Sequence, residues 1–278
     1  MQADKRHLIA IDLDDTVLGE LFSLNVKSVW TLIEAQEAGH IVMIASARPT
    51  SICLPFYRSI GLHSMMSVLN GTYMYHPDDA SCPRFNHELR AETVGEILNA
   101  AKEIKMEKSW MQADDLIISQ EPIIPGHRYF KQMFRMSEWK IEKELPAIPC
   151  ARIHGWAPTE EQFLEMKSRF ENHPEVRIVG GPAREGDGFN IVLWSSTADK
   201  WYTVQEAAKY YGINEQNILT FGDENNDRMM LMNAPHGFVM CNGNKQLIED
   251  MRAAGKNVTT YPCVEGGVGY EVAKLLGL

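Results

Sequence analysis

The stretch HLIAIDLDDT (residues 7–16) places an uninterrupted apolar run directly before a group of acidic residues. A short apolar run without alternation is typical of a strand that is buried on both faces of a parallel sheet. The run stops at Asp12, which we therefore expect at the carboxyl end of the first strand. Ligands of open parallel sheets bind in the crevice beyond those ends, so this stretch predicts both a fold class and the place of a site.

Helical and strand-like segments alternate after this first strand. Apolar residues recur with helical spacing from Val26 to Ile33, and Gly39 stands where that helix is expected to end. The alternation predicts an α/β fold with a Rossmann-like parallel sheet and helices on both faces. The later segments with the same patterns are strands at residues 41–45, 218–221 and 237–240 and helices at residues 51–60, 204–211, 229–232 and 246–254.

The middle of the chain has a different pattern. Between about Cys82 and Gly188, strand candidates are separated by longer helices, which is typical of an α+β domain. We therefore expect an inserted domain inside a split core. The predicted bounds are residues 1–82 for the first part of the core, 83–189 for the inserted domain and 190–278 for the second part of the core.

The composition disfavours two classes of partner. Across 278 residues, 27 Lys and Arg face 37 Asp and Glu, a net charge of −10 that disfavours nucleic acid and anionic membranes as partners. No apolar run approaches the ~20 residues of a membrane span. The five cysteines include no CxxC pair, and the N-terminus has no signal-peptide pattern, so we expect reduced thiols in a cytoplasmic protein. The oligomeric state is left open.

Two acidic side chains begin the candidate site. Asp12 and Asp14 are two residues apart, so both can face one crevice. Paired carboxylates suit a hard cation such as Mg²⁺, and they also suit a division of labour between a nucleophile and a proton donor. A loop of solvated acids is the alternative, and the motif alone does not exclude it.

Three further groups follow predicted strands or begin predicted helices. Ser46 could bind an anion through its hydroxyl and nearby N–H groups, although an ordinary N-cap serine is the alternative. Lys200 opposes the dipole of the helix that it begins, which suggests a function, although an ordinary surface lysine is the alternative. The run GDENND (residues 222–227) is suited to a metal site. It is not a calcium loop, because it lacks a glycine at the sixth loop position and a glutamate at the twelfth. A plain turn is the alternative.

In order and placement, these four groups resemble the four motifs of the haloacid dehalogenase superfamily, and most closely its Cof-type branch of sugar-phosphatase-like hydrolases. The resemblance extends from Leu8 to the tail EGGV (residues 265–268). It implies that Asp12 is the nucleophile and a metal ligand. It further implies that Asp14 is the general acid and base and a metal ligand through its carbonyl, and that Asp223 is the second carboxylate ligand.

The resemblance also implies how the phosphate would be held. Ser46, Lys200 and Asn226 would bind it, and Asp227 would support the metal or Lys200. Asn70 begins an Asn-Gly loop that resembles one beside the family's site. In an acidic protein, Mg²⁺ and Lys200 would supply the local positive charge that a phosphorylated substrate requires.

Three positions depart from the family pattern. Asp15 stands where the family often has glycine, Ala47 replaces a frequent glycine, and Trp201 follows Lys200 where glycine is usual. Trp201 could reshape the rim of the pocket or simply pack. None of the three removes a chemical group that the mechanism needs.

By its placement, the inserted domain resembles the family's large mobile cap. Arg128 and Asn190 are the candidate cap residues for contact with a substrate, although a solvated charge is an equal alternative for Arg128. The predicted function is a Mg²⁺-dependent phosphoric monoester hydrolase that acts on small phosphorylated metabolites, with sugar phosphates expected, through a phosphoryl-aspartate on Asp12. A phosphotransferase or phosphomutase with the same intermediate and a non-catalytic phosphometabolite-binding protein are the alternatives.

Overall fold

The computed structural model describes residues 6–19, 23–122, 137–183 and 187–278. The chain divides into two compact units. The first consists of Met1–Arg48, Cys53–Phe85 and Asp199–Leu278, and the second of Pro49–Ile52 and Asn86–Ala198. Within the described ranges, no helix has the length and apolar character that crossing a membrane requires.

Five parallel strands form the central sheet of the first unit. In order across the sheet they are β14 (Asn257–Val258), β13 (His236–Val239), β12 (Ile218–Gly222), β1 (Leu8–Ile11) and β2 (Ile41–Ile44). β1 lies between β12 and β2, and Ile11 is in register with Phe221 on one side and Ile44 on the other. The carboxyl ends of these three strands therefore lie side by side.

Both faces of this sheet are buried, as the apolar runs predict. Leu8 and Ala10 belong to a core cluster with the helices that follow the second unit, whereas Ile9 and Ile11 are fully buried and by alternation face the opposite side. The helices are α1 (Val26–Glu37), α2 (Thr50–Ser59), α5 (Lys200–Tyr211), α6 (Arg228–Asn233), α7 (Lys245–Ala253) and α8 (Gly267–Leu276). α1 packs on α8, and α6 packs on both α5 and α7.

A small sheet follows α2. Its strands are β3 (Met66–Val68), β4 (Tyr73–Tyr75) and β5 (Phe85–Asn86), and β3 is joined to the end of β2 by a bridge between Ser67 and Ala45. The sequence pattern does not predict this sheet, because strands of two or three residues are too short to show periodicity.

In its described residues, the second unit contains a six-stranded sheet and two helices. The strand order is β10 (Val176–Pro182), β11 (Phe189–Ser195), β9 (Arg152–Ala157), β6 (Lys108–Ala113), β7 (Leu116–Ser119) and β8 (Glu138–Ile141). All pairs are antiparallel except β7 with β8. The helices α3 (Ala91–Glu103) and α4 (Glu160–Phe170) share a hydrophobic core with β6, β7, β9 and β11.

The predicted fold class is confirmed, since a parallel α/β sheet is accompanied by a separate, mainly antiparallel α+β region. The proposed domain bounds, with an inserted cap at residues 83–189, remain a prediction.

Candidate active site

Adjacent strand ends assemble the site from three distant parts of the chain. The Asp12 N–H donates to the Phe221 carbonyl at 3.0 Å, so Asp12 extends the ladder between β1 and β12 by one residue. Ser46 follows β2 on one side, and Asp223 follows β12 on the other. The strand register thus brings Asp12, Ser46 and Asp223 to one edge of the sheet, as the sequence predicts.

Three buried carboxylates form the centre of this edge. Asp12, Asp223 and Asp227 each offer an oxygen within 4.8 Å of the other two. Their exposed fractions are 5%, 7% and 0%. Like charges at this distance in a poorly hydrated place repel one another strongly, so the cluster needs a compensating cation.

Lys200 supplies one positive charge to the cluster. Its Nζ donates to Asp12 Oδ1 at 2.8 Å and to Asp227 Oδ1 at 2.6 Å, and the lysine is 1% exposed. A cation at the first position of α5 interacts unfavourably with the helix dipole, but its hydrogen bonds to the two carboxylates offset this effect. Lys200 is therefore not the ordinary surface lysine that sequence reasoning left open.

The start of α5 is held in place by its neighbours. The Asp199 carboxylate accepts a hydrogen bond from the Trp201 N–H at 2.8 Å and caps the helix. A Cβ on Gly71 would lie 2.4 Å from the Asp199 carbonyl oxygen, so only glycine permits this close approach. Trp201 is partly buried and packs against the core cluster, which agrees with a packing role for this departure from the family pattern.

Asp227 has both carboxylate oxygens occupied. Oδ1 accepts from Lys200, while Oδ2 accepts from the backbone N–H groups of Asp223 at 3.0 Å and Glu224 at 3.1 Å. Gly222 makes room for it, since a Cβ there would lie 2.4 Å from the Asp227 Cγ. Of the two roles that the resemblance allows, this geometry favours support of Lys200 over metal ligation.

Asp14 lies beside this cluster and pairs with a buried arginine. Arg48 Nε donates to Asp14 Oδ2 at 2.6 Å, and Arg48 Nη2 donates to Asp14 Oδ1. The residue that follows, Asp15, has a φ of 49°, in the left-handed region that favours glycine. That backbone conformation explains why the family often has glycine there, and aspartate tolerates it better than most residues do.

Two of the predicted phosphate-binding residues, Ser46 and Asn226, are joined by a chain of hydrogen bonds. The Ser46 Oγ accepts from the Arg48 N–H at 3.3 Å, and the Ser46 carbonyl accepts from the Asn70 N–H at 2.9 Å. Asn226 Nδ2 donates to Asn70 Oδ1 at 3.1 Å. The Asn-Gly loop therefore lies between Ser46 and Asn226, beside the site, as expected.

Arg128 and Asn190 are the two residues that the sequence predicts as cap contacts to the substrate. Arg128 lies outside the residues that the structure describes. Asn190 is exposed on β11 of the second unit, where it pairs in register with Trp156 and Gly181. The role of either residue remains a prediction.

Sequence reasoning missed four residues that shape the site. The sequence pattern gives Arg48 no role, and the one signal for it is its position two residues after Ser46. Thr16 donates from Oγ1 to Asp223 Oδ1 at 3.4 Å. Gly71 and Gly222 act only by lacking a side chain, which no local pattern reveals.

The environment shifts the pKa values of the cluster. Burial raises the pKa of Asp223 to about 9, and Asp12, Asp227 and Asp15 add to the effect. Burial likewise raises the pKa of Asp12 to about 7, against the opposing effect of Lys200. Burial alone would lower the pKa of Lys200, but Asp12 and Asp227 outweigh it and raise that pKa. One lysine therefore does not neutralise the cluster, which could hold a metal ion.

Comparison with known proteins identifies the family. A model of the haloacid dehalogenase-like hydrolases matches residues 9–270. The chain belongs to this family. The match confirms the family resemblance seen in the sequence.

Its relatives are phosphatases. The chain is 25% identical over 243 residues to the 5-amino-6-(5-phospho-D-ribitylamino)uracil phosphatase of Bacillus subtilis, covering 86% of this chain and 88% of that one. It is 25% identical over 267 residues to the pyridoxal phosphate phosphatase of Escherichia coli, covering 84% and 88%. The predicted enzyme class, a phosphoric monoester hydrolase, is confirmed.

A solved structure shows the same fold. A haloacid dehalogenase-like hydrolase from Bacteroides thetaiotaomicron superposes with a TM-score of 0.77 at 18% identity, over 98% of this chain and all of the other. At this identity the likeness concerns the fold alone.

The raised pKa of Asp223 predicts a pH dependence of stability. Unfolding returns this carboxyl from about 9 to its ordinary value of 3.8, so the folded protein holds a proton that the unfolded chain releases between those values. In EDTA, the melting temperature should therefore fall as the pH rises from about 4 to about 9. Asp223→Asn removes the titrating group and should make that fall smaller in a thermal melt. Parallel curves for the two proteins would contradict the shift.

Proposed function

We propose that this hydrolase is a Mg²⁺-dependent phosphatase of small phosphorylated metabolites and that it works through a phosphoryl-aspartate on Asp12. The observation that carries the proposal is the bridge from Lys200 Nζ to Asp12 and Asp227 at the carboxyl edge of a parallel sheet. It fixes a buried carboxylate at a strand end and places a cation beside it, which is what attack on a phosphate dianion requires.

The residues present fit a magnesium ion. Magnesium prefers oxygen ligands and keeps several waters, so a few protein oxygens suffice. Asp12 and Asp223 would provide carboxylates and Asp14 its carbonyl, while Asp227 is already committed to Lys200 and two backbone N–H groups. The raised pKa values of Asp12 and Asp223, caused chiefly by burial and further by neighbouring carboxylates, support this assignment, since a bound cation would favour their ionised forms. When bound, the ion would neutralise carboxylate and phosphate charge.

Asp12 is the proposed nucleophile. Lys200 bonds to Asp12 Oδ1, which leaves Oδ2 for attack on phosphorus. Attack forms an Asp12–phosphorus bond and breaks the ester bond to the leaving oxygen. The same lysine would stay beside the phosphoryl group, so it balances charge before and after transfer.

Asp14 is the proposed general acid and base. It would give a proton to the leaving oxygen in the first step and take one from the water that cleaves the acyl phosphate in the second. Its side chain is 45% exposed, whereas that of Asp12 is 7% exposed. This difference suits a group that exchanges protons with solvent and a group that must be shielded from it.

Ser46 and Asn226 would hold the phosphate oxygens. The Ser46 hydroxyl accepts from the Arg48 N–H, so its own hydrogen remains available to donate. Asn226 is fixed by Asn70, which in turn bonds to the Ser46 carbonyl. Movement of Ser46, Asn70 or Asn226 would therefore shift the other two residues.

The substrate is proposed to be a small phosphorylated metabolite. The named relatives act on a phosphorylated ribitylaminouracil and on pyridoxal phosphate. Sugar phosphates and phosphorylated ring compounds are therefore the first two groups to screen, with release of inorganic phosphate as the readout. Transfer to an added alcohol instead of water would favour a phosphotransferase, and binding without turnover would favour a phosphometabolite-binding protein.

Asp12→Asn should reduce turnover to below about 10⁻³ of the wild-type value, because the amide keeps the shape but cannot form the acyl phosphate. Steady-state phosphate release with Mg²⁺ measures the loss. Asp250→Asn is the control, since Asp250 is a partly exposed carboxylate that pairs with Arg228 at 2.6 Å. Asp12→Asn turnover comparable to that control would remove Asp12 from the nucleophile's role.

Asp223→Ala should raise the Mg²⁺ concentration needed for half-maximal activity or abolish activity, because it removes a hard ligand from the proposed ion. A magnesium titration of phosphate release compares it with the wild-type enzyme. An unshifted curve would place the ion elsewhere.

Asp14→Asn should slow turnover by about 10²–10⁴-fold, the usual contribution of general acid–base catalysis, because an amide cannot deliver a proton. The rate should also lose the part of its pH dependence that the carboxyl provides. A pH–rate profile of kcat/KM parallel to the wild-type profile would exclude Asp14 as the acid.

A further inference from the structure

The Arg48–Asp14 pair is a two-point contact. The planar guanidinium engages one carboxylate oxygen through Nε and the other through Nη2. Two parallel bonds fix the orientation of a carboxylate as well as its position, which a single bond or a lysine cannot do. The contact joins residues 34 apart in the chain, so tertiary structure alone produces it.

Arg48 is the fixed member of the pair. Its side chain is 1% exposed, against 45% for Asp14. Its guanidinium carbon lies 5.9 Å from the centre of the Phe56 ring, and its backbone donates to Ser46 Oγ and accepts from the Leu69 N–H at 3.0 Å. The arginine is thus anchored by α2, by the predicted phosphate-binding serine and by the loop beside the site.

We propose that Arg48 is a positioning residue that aims the Asp14 carboxyl at the leaving oxygen. This inference rests on the proposed function. Formation of the Asp12–phosphorus bond and cleavage of the ester bond leave an alkoxide, which takes the proton of the Asp14 carboxyl. Water then attacks phosphorus, returns a proton to the Asp14 carboxylate and frees Asp12.

The two-point contact suits this proton cycle. In the structure both Asp14 oxygens accept from Arg48, and protonation of one oxygen weakens its bond, because a hydroxyl oxygen is a poorer acceptor than a carboxylate oxygen. The bond from Arg48 to the unprotonated oxygen can remain and keep the carboxyl in position. A lysine would keep the charge but offer no planar pair of donors, so it would neutralise Asp14 without aiming it.

Substrates with different leaving groups distinguish a positioning role of Arg48 from a purely structural role. An alkyl phosphate needs a proton on its leaving oxygen, whereas p-nitrophenyl phosphate has a leaving group stable enough to depart without one. Misorientation of the Asp14 carboxyl should therefore slow hydrolysis of the alkyl ester selectively, whereas general damage to the site should slow hydrolysis of both esters. The constant to compare is kcat/KM, because it covers the steps up to formation of the phosphoryl-enzyme.

Arg48→Lys should lower kcat/KM by about 10²-fold or more for an alkyl phosphate and by less than about 10-fold for p-nitrophenyl phosphate. Arg48→Met, which removes the charge at similar volume, should show the same selectivity. Arg58→Lys is the matched control, because Arg58 is 58% exposed and pairs with Asp78 at 2.5 Å. It should change neither constant. Thermal melts identify which variants are folded, and the comparison uses those.

A double-mutant cycle completes the test. If Arg48 acts through Asp14, adding Arg48→Lys to Asp14→Asn should cost the alkyl ester little beyond the loss from Asp14→Asn alone. Equal losses for both esters, fully additive effects in the cycle, or failure of both Arg48 variants to fold would overturn the positioning role and make the arginine a structural residue. If the wild-type enzyme with Mg²⁺ hydrolyses neither ester nor any screened metabolite, the proposed function itself fails.

Discussion

The bond pair from the Lys200 ammonium to Asp12 and Asp227 is the interaction on which the site depends. It joins the first strand of the sheet to the helix and the loop that follow the second unit, across 188 and 27 residues of chain. All three groups are almost completely buried, so each would be costly to leave unpaired. The sheet core and the reactive edge are therefore stabilised by the same contact.

Backbone constraints keep this contact in place. Gly222 and Gly71 each stand where a Cβ would lie 2.4 Å from a neighbouring atom, of Asp227 in one case and of Asp199 in the other. One of these close approaches seats the carboxylate that orients Lys200, and the other seats the start of its helix. Close packing of this kind leaves the lysine little freedom, which is the condition for preorganised electrostatic catalysis.

The charge of the site explains its chemistry. The site brings together five carboxylates, those of Asp12, Asp14, Asp15, Asp223 and Asp227, and the cations of Lys200 and Arg48, so its negative charges exceed its positive ones. Burial, together with the neighbouring carboxylates, raises the pKa of Asp12 and Asp223, and a divalent cation beside them would favour their ionised forms. The two cations have different partners: Lys200 bonds to the proposed nucleophile Asp12, and Arg48 bonds to the proposed acid Asp14.

Local patterns in the sequence determined the parallel sheet and the carboxylates at its edge. A buried strand and a helix have periods of a few residues, so Asp12, Ser46 and Asp223 could be placed at strand ends without knowing what lies beside them. The family resemblance added roles for Lys200 and Asp227. The small sheet that includes β3 escaped prediction, because its strands are too short to show a period.

Only the tertiary structure decided how these residues are paired. That Asp227 supports Lys200, that Arg48 holds Asp14 and that Gly71 touches Asp199 are contacts between parts of the chain with no periodic relation. Such contacts depend on strand register and on which loops meet above the sheet. The sequence gives the type of side chain at each position, whereas the packing of the whole unit determines which side chains contact one another.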